Sequence, residues 1–238
     1  MSIAGETIDY GPCAFLDTYE PSKHFSAVDQ NGRYAYQNQP AIGQWNLVRL
    51  AQCLLGMLDK DEDTALELAQ VSIDAYGEKF DDAFMAEFTK KLGLNNIEND
   101  DKELVKDLLK HMAENQVDFT LMFRGLGELL NGGDGPAPLF KNPTTFEEWE
   151  IVWRKRLTTM NEADDVIATR ILAANPAIIP RNHLVEEAIR AAEDNNDFSV
   201  FHALVEALEK PFDDQPKGSK FTQPPEAQQI VHQTFCGT

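Results

Sequence analysis

The sequence predicts a mainly α-helical protein, and three observations carry that expectation. From residue 41 to residue 209 apolar residues recur at three- and four-residue spacings, the period of helices that each bury one face. The periodic segments are closed by helix stop signals, the clearest being Asn131-Gly132-Gly133-Asp134-Gly135-Pro136 and Asn175-Pro176, where Gly and Pro cannot continue a helix at low cost. Strand-like character is confined to the surroundings of Ile3 and Ile8, so little sheet is expected.

The elements follow in order. Residues 1–40 are rich in Gly, Pro, Asp, Tyr and Asn, with turn signals at Gly11-Pro12, Glu20-Pro21, Asn31-Gly32 and Gln39-Pro40, the composition of an ordered loop. From Ala41, the residues Trp45, Leu47, Val48, Leu50, Ala51, Leu54, Leu55 and Leu58 predict a core helix buried on one broad face. Residues 63–92 carry Leu66, Leu68, Ala69, Val71, Ile73, Tyr76, Phe80, Phe84, Phe88 and Leu92, a helical pattern broken near Gly77. Further helices are expected over residues 102–115, 117–130, 146–158, 162–174, 184–193 and 198–209. The acidic residues Glu147 and Glu148 suit the first turn of the helix beginning at Phe146. Residues 211–225 read as a Pro-, Asp- and Lys-containing tail, and no internal repeat is present. The chain divides into an opening segment (residues 1–40), a helical body (residues 41–210) and a C-terminal tail (residues 211–238).

Composition excludes several classes. With 238 residues, 42% hydrophobic and 26% charged, the chain is long enough to bury roughly 70–75% of its unfolded surface in a core. Twenty-one basic against 40 acidic residues give a net charge of −19, which opposes binding to nucleic acid or anionic lipid. No stretch approaches the ~20 apolar residues of a membrane span, and the first residues lack the basic flank and apolar run of a signal peptide. Cys13, Cys53 and Cys236 share no CxxC spacing, which suits a reducing, cytoplasmic setting.

Most candidate motifs fail their own chemical requirements. Arg124-Gly125-Leu126-Gly127 lacks the third Gly of a dinucleotide loop and follows a helix instead of a strand. Asp59-Lys60-Asp61-Glu62-Asp63 has neither the central Gly nor the closing Glu of a calcium loop, and reads as a solvated helix entry. Gly132-Gly133-Asp134-Gly135 has no following Lys and is a loop. His24, His111, His183, His202 and His232 are scattered without ligand spacing. Of these, His183 is assigned to helix capping or core hydrogen bonding. Trp45, Trp149 and Trp153 are read as core residues.

One motif survives. Thr7-Ile8-Asp9-Tyr10-Gly11-Pro12 sets a carboxylate after an apolar residue and before a Gly. The arrangement resembles the Asp-Phe-Gly element in which an Asp holds Mg²⁺ on nucleotide phosphates. Taken alone it fits better a turn aspartate that bonds local backbone N–H groups.

The wider sequence resembles the selenoprotein O family. Phe15-Leu16-Asp17 continues the Asp9 segment, and Gln30-Asn31-Gly32-Arg33-Tyr34-Ala35-Tyr36, Gln39-Pro40-Ala41 and Trp45-Asn46-Leu47-Val48-Arg49-Leu50-Ala51-Gln52 are similar to the segment after it. Asn175-Pro176-Ala177, Arg181-Asn182-His183, Glu187-Ala188-Ile189 and Phe235-Cys236-Gly237-Thr238 resemble later ones.

The resemblance implies the large helical lobe of a protein-kinase-like fold, opened by a short strand-turn element at Asp9. It further implies transfer of AMP from ATP to hydroxyl side chains of proteins. Asp9 then matches the ligand of Mg²⁺ (or Mn²⁺) and ATP. The family's general-base Asp, its neighbouring Asn and its small N-terminal lobe fall before the position of Met1. The chain alone is therefore expected to be catalytically incomplete, with the missing lobe as a candidate separate partner. A non-catalytic helical interaction module and a protein phosphotransferase are the alternatives. Some relatives pair a cysteine after the metal aspartate with one near the C-terminus. Phe25 stands at the first position and Cys236 at the second, which leaves Cys13 as a substitute partner, or three unpaired thiols.

Overall fold

The structure is a computed structural model that describes residue 4, residues 14–216 and residues 218–234. Nine α-helices run through the described residues: α1 (Gln39–Leu58), α2 (Glu62–Asp74), α3 (Tyr76–Lys91), α4 (Asp101–Asn115), α5 (Phe119–Leu130), α6 (Pro143–Thr158), α7 (Asp164–Ala174), α8 (Asn182–Asn195) and α9 (Ser199–Leu208). Strand pairing among the described residues is limited to two isolated bridges, Thr18 with Asp118 and Ser26 with Thr234. The expected mainly α architecture is therefore observed. The strand-turn element expected at Asp9 lies outside the described residues.

Local chemistry sets the helix ends. Asp61 caps α2 by accepting from the Thr64 amide at 2.9 Å, and Asp118 caps α5 by accepting from the Leu121 amide at 2.9 Å, each satisfying an orphan donor of the first turn. Pro143 opens α6, where its missing N–H costs nothing. Glu147 and Glu148 therefore fall beyond the first turn, contrary to expectation. Asn175 is extended (φ −124°, ψ 114°) and ends α7, because the ring of Pro176 disfavours helical backbone at the preceding residue. Gln116 after α4 and Asn196 after α8 close their helices in the left-handed conformation. The break between α2 and α3 falls at Ala75, and Gly77 lies in the first turn of α3.

The core is built by α3 to α7. Leu92, Leu108, Met112, Met122, Phe123, Leu126, Trp153 and Ile171 are fully buried within one apolar cluster. Trp149 and Trp153 stack at 5.8 Å with an interplanar angle of 13°. Their indole nitrogens donate to Leu104 O at 2.9 Å and Leu92 O at 3.0 Å, so neither ring buries an unmet donor. Helices α4 and α6 are tied by a buried ion pair, with Arg156 Nε 2.8 Å from Asp101 Oδ1. Helices α5 and α7 make the most extensive contact in the fold. It is close because Gly127 faces Leu172: a Cβ there would lie 2.7 Å from Leu172 Cδ2. Within the Arg124–Gly127 run, Gly127 thus serves helix packing, whereas Gly125 faces Pro136.

Two expectations are corrected. Helix α1 contains no buried residue, although its periodicity predicts a core helix. It packs on α2, on the turn before it and lightly on α3, and Trp45, Leu54, Met57 and Leu58 stay exposed. For the same reason Trp45 is exposed, whereas Trp149 and Trp153 are buried.

Candidate functional site

The segment that follows the Asp9 motif is fastened to the helical core at one point. Phe119 N donates to Asp17 O and Tyr19 N donates to Val117 O, both at 2.8 Å, so residues 17–19 pair with the entry to α5. Beneath this pairing lies Arg181, the residue before α8, which is 1% exposed. Its guanidinium donates to the Asp17 carboxylate through Nη1 and to Asp118 through Nη1 at 2.7 Å and Nη2 at 3.2 Å. One cation thereby joins the opening segment, α5 and α8. Burial of a cation is tolerable here because two carboxylates surround it.

Charge states reflect this arrangement. Burial pushes the Asp17 carboxyl up, against the downward pull of Arg181. Arg181 loses hydration on burial, but its bonds to Asp118 and Asp17 outweigh that loss and raise its pKa. His183, the second residue of α8, is pushed below the usual histidine value by burial, with Asp17 opposing and Arg181 reinforcing the shift. His183 Nδ1 and Arg181 Nε are buried without a hydrogen-bond partner among the described residues. The core hydrogen bond expected of His183 is thus absent at Nδ1.

A cleft of about 470 Å³ opens beside the fastening, lined by Asp17, Glu20, Lys23, Gln116, Asp118 and His232 among others. Asp17 and Asp118 are engaged by Arg181, Glu20 accepts from Ser22 Oγ at 2.9 Å, and Lys23 Nζ lies 5.1 Å from the centroid of the Phe25 ring. Among the described residues no group of three or more His, Cys, Asp and Glu side chains converges on a metal position. Asp9 lies outside the described residues, as do Cys13 and Cys236, so its expected role as metal and ATP ligand is a matter of proposal.

The C-terminal tail closes over this region. Thr234 N donates to Phe25 O at 2.8 Å and Ala27 N to Thr234 O at 3.1 Å. Phe25, where the resemblance places a cysteine, thus has its backbone bonded two residues short of Cys236. Further back, the buried Arg124 donates to Leu172 O and Asn175 O at 3.0 Å and to Phe212 O at 3.1 Å, and it pairs with Asp214. Neither Arg124 nor the Asp17–Asp118–Arg181 group is signalled by spacing, because the members of each lie far apart in sequence. The only hint of Asp17 and Arg181 is their place in the segments that resemble the family.

The helical body, with residues 17–19 paired to the entry of α5, defines the class: a mainly α unit whose family is read over nearly its whole length. The family model described as "Protein adenylyltransferase SelO" matches residues 1–209. Relatives named "Protein nucleotidyltransferase YdiU" come from Rhizobium rhizogenes, 48% identical over 241 residues, and from Methylorubrum extorquens, 49% identical over 249 residues. Another with that name, from Nitrobacter hamburgensis, is 48% identical over 240 residues. All of this chain is covered in each comparison, against 48%, 50% and 47% of the relatives. The chain belongs to the SelO protein adenylyltransferase family, and it spans about half the length of the curated relatives it matches.

Proposed function

We propose that this chain is the part of a protein adenylyltransferase that carries the metal-binding aspartate, and that the complete enzyme transfers AMP from ATP to Ser, Thr or Tyr hydroxyls of proteins. The observation that carries this reading is the family match across residues 1–209, which includes Asp9-Tyr10-Gly11. Asp9 is the proposed ligand of Mg²⁺ or Mn²⁺ on the ATP phosphates. A divalent cation there supplies charge neutralisation as the α-phosphate is attacked and pyrophosphate leaves. The chain's own contribution is positional. Asp17, eight residues beyond Asp9 in the sequence, is held by Arg181 and by backbone pairing to α5.

Residues 41–210 are proposed as the kinase-like helical lobe and residues 211–238 as a tail packed upon it. The bonds of Arg124 to Phe212 and of Phe25 to Thr234 support that division. The base and the nucleotide-gripping lobe belong to the remainder of the enzyme, so the chain alone is inactive. The proposed setting is cytoplasmic; no helix of the described residues is long and apolar enough to cross a membrane.

The test completes the chain with the unmatched half of a relative and follows label from ATP into protein. Label from the α-phosphate is expected in protein, and Asp9→Ala removes it while the helical circular dichroism is kept. Undiminished transfer by Asp9→Ala would refute the assignment, and γ-label transfer would identify a phosphotransferase.

A further inference from the structure

Helix α1 is out of place as a surface helix. Trp45 is 45% exposed, Met57 82% and Leu58 42%, and the neighbouring α2 exposes Leu66 and Val71. A helix this apolar around its circumference is normally buried. Gly56 sits in the helix interior with open space where a Cβ would stand, so a residue of poor helix propensity is used where no described contact requires it.

Charge points the same way. Six of the eight arginines of the chain, namely Arg124, Arg154, Arg156, Arg170, Arg181 and Arg190, have carboxylate partners. The remaining two, Arg33 and Arg49, have none among the described residues. Both lie over the same ring, with guanidinium carbons 4.4 Å and 5.3 Å from the centroid of Trp45. In a chain of net charge −19, two unpaired cations beside an unburied apolar helix describe half of an interface.

We infer that the outer face of α1, with Arg33 and Arg49, is the seat of the half of the family's length that this chain does not match. That half contributes an apolar surface against Trp45 and Met57 and at least one carboxylate for the arginine pair. The inference rests on the relatives being about twice as long as the match, and not on the proposed chemistry, so AMP transfer is not its readout.

Cys53, an exposed free thiol on α1, provides the test. Its modification by N-ethylmaleimide is measured by peptide mass spectrometry in this chain alone and in this chain joined to the unmatched half of the Rhizobium rhizogenes relative. Joining is expected to slow the reaction at least tenfold. Met57→Asp with Leu58→Asp, both facing solvent in this chain, restores the fast rate in the joined protein, as does Arg49→Glu. The circular dichroism of the chain alone stays unchanged by these substitutions. Equal rates in the two proteins overturn the inference, and so does protection that develops in the chain alone with rising concentration, which assigns the face to a second copy. Should the joined protein be insoluble, the halves are co-expressed with a tag on this chain. Co-purification that the double substitution abolishes supports the inference, and no co-purification overturns it.

Discussion

Arg181 grips the carboxylate of Asp118 with Nη1 2.7 Å from Oδ2 and Nη2 3.2 Å from Oδ1, and so joins the start of α8 to the start of α5. Asp118 is at once the cap of α5 and the buried countercharge, while Asp17 completes the pairing from the opening segment. Arg181→Ala leaves two carboxylates without their cation at a buried site, and removing one partner of a buried pair costs roughly 3–5 kcal/mol. Urea unfolding should register a loss of that size. Arg181→Lys retains charge but not the planar fork, and should recover only part of it. Hydrogen exchange at the amides of Tyr19 and Phe119, which pair across this junction, should accelerate in both variants.

Arg124 does for the tail what Arg181 does for the opening segment. Its Nη1 serves the carbonyls of Leu172, Asn175 and Phe212. Arg124→Ala withdraws the donor from buried carbonyls, at about 1–3 kcal/mol. The more specific expectation is release of the tail, seen as faster limited proteolysis between residues 211 and 216 with the helical core retained. An unchanged cleavage rate would show that the tail is held elsewhere.

Much of this architecture was legible in the sequence and part of it was not. Periodicity and stop signals locate all nine helices because each reports a local property, such as the extended backbone that Pro176 imposes on Asn175. Burial is not local. Trp45 and Trp153 have the same helical context, yet one is exposed and the other buried, since only tertiary neighbours decide which face is covered. The Asp17–Asp118–Arg181 group was invisible for the same reason: the partners lie 164 and 63 residues apart, and no spacing rule connects them. Asp9 is the reverse case, legible as a motif by resemblance and outside the described residues.

His183 gives stability a pH dependence with a definite sign. Burial holds its folded-state pKa below the ordinary value of 6.5, so the unfolded chain binds the proton more readily. The neutral imidazole therefore favours folding above pH 6.5, and that contribution is lost as pH falls through 6.5 towards the depressed folded value. Asp17, Arg181, Glu187 and Lys220 all act on the ring. Melting temperature should decline between pH 7 and pH 5, and His183→Gln should flatten the decline by less than the equivalent of one proton. An equally steep profile in the variant would assign the effect to other groups.

Two helical glycines separate packing from propensity. At Gly127 an added Cβ would stand 2.7 Å from Cδ2 and 2.8 Å from Cγ of Leu172, with Ile171 Cγ2 at 3.2 Å. The leucine is half-buried between α5 and α7, so its branch point cannot turn away without moving the helices apart. Overpacking of this kind costs about 1–3 kcal/mol, against roughly 1 kcal/mol gained from the better helix propensity of Ala. Gly127→Ala should therefore be neutral to destabilising by up to about 2 kcal/mol. At Gly56 nothing lies within 4 Å of the added carbon, so only propensity acts, and Gly56→Ala should stabilise this chain by about 0.5–1 kcal/mol. A raised denaturation midpoint for Gly56→Ala beside an unchanged or lowered one for Gly127→Ala is the expected result. A destabilising Gly56→Ala would mean that something already lies against α1 in solution, which is the arrangement inferred for the longer protein.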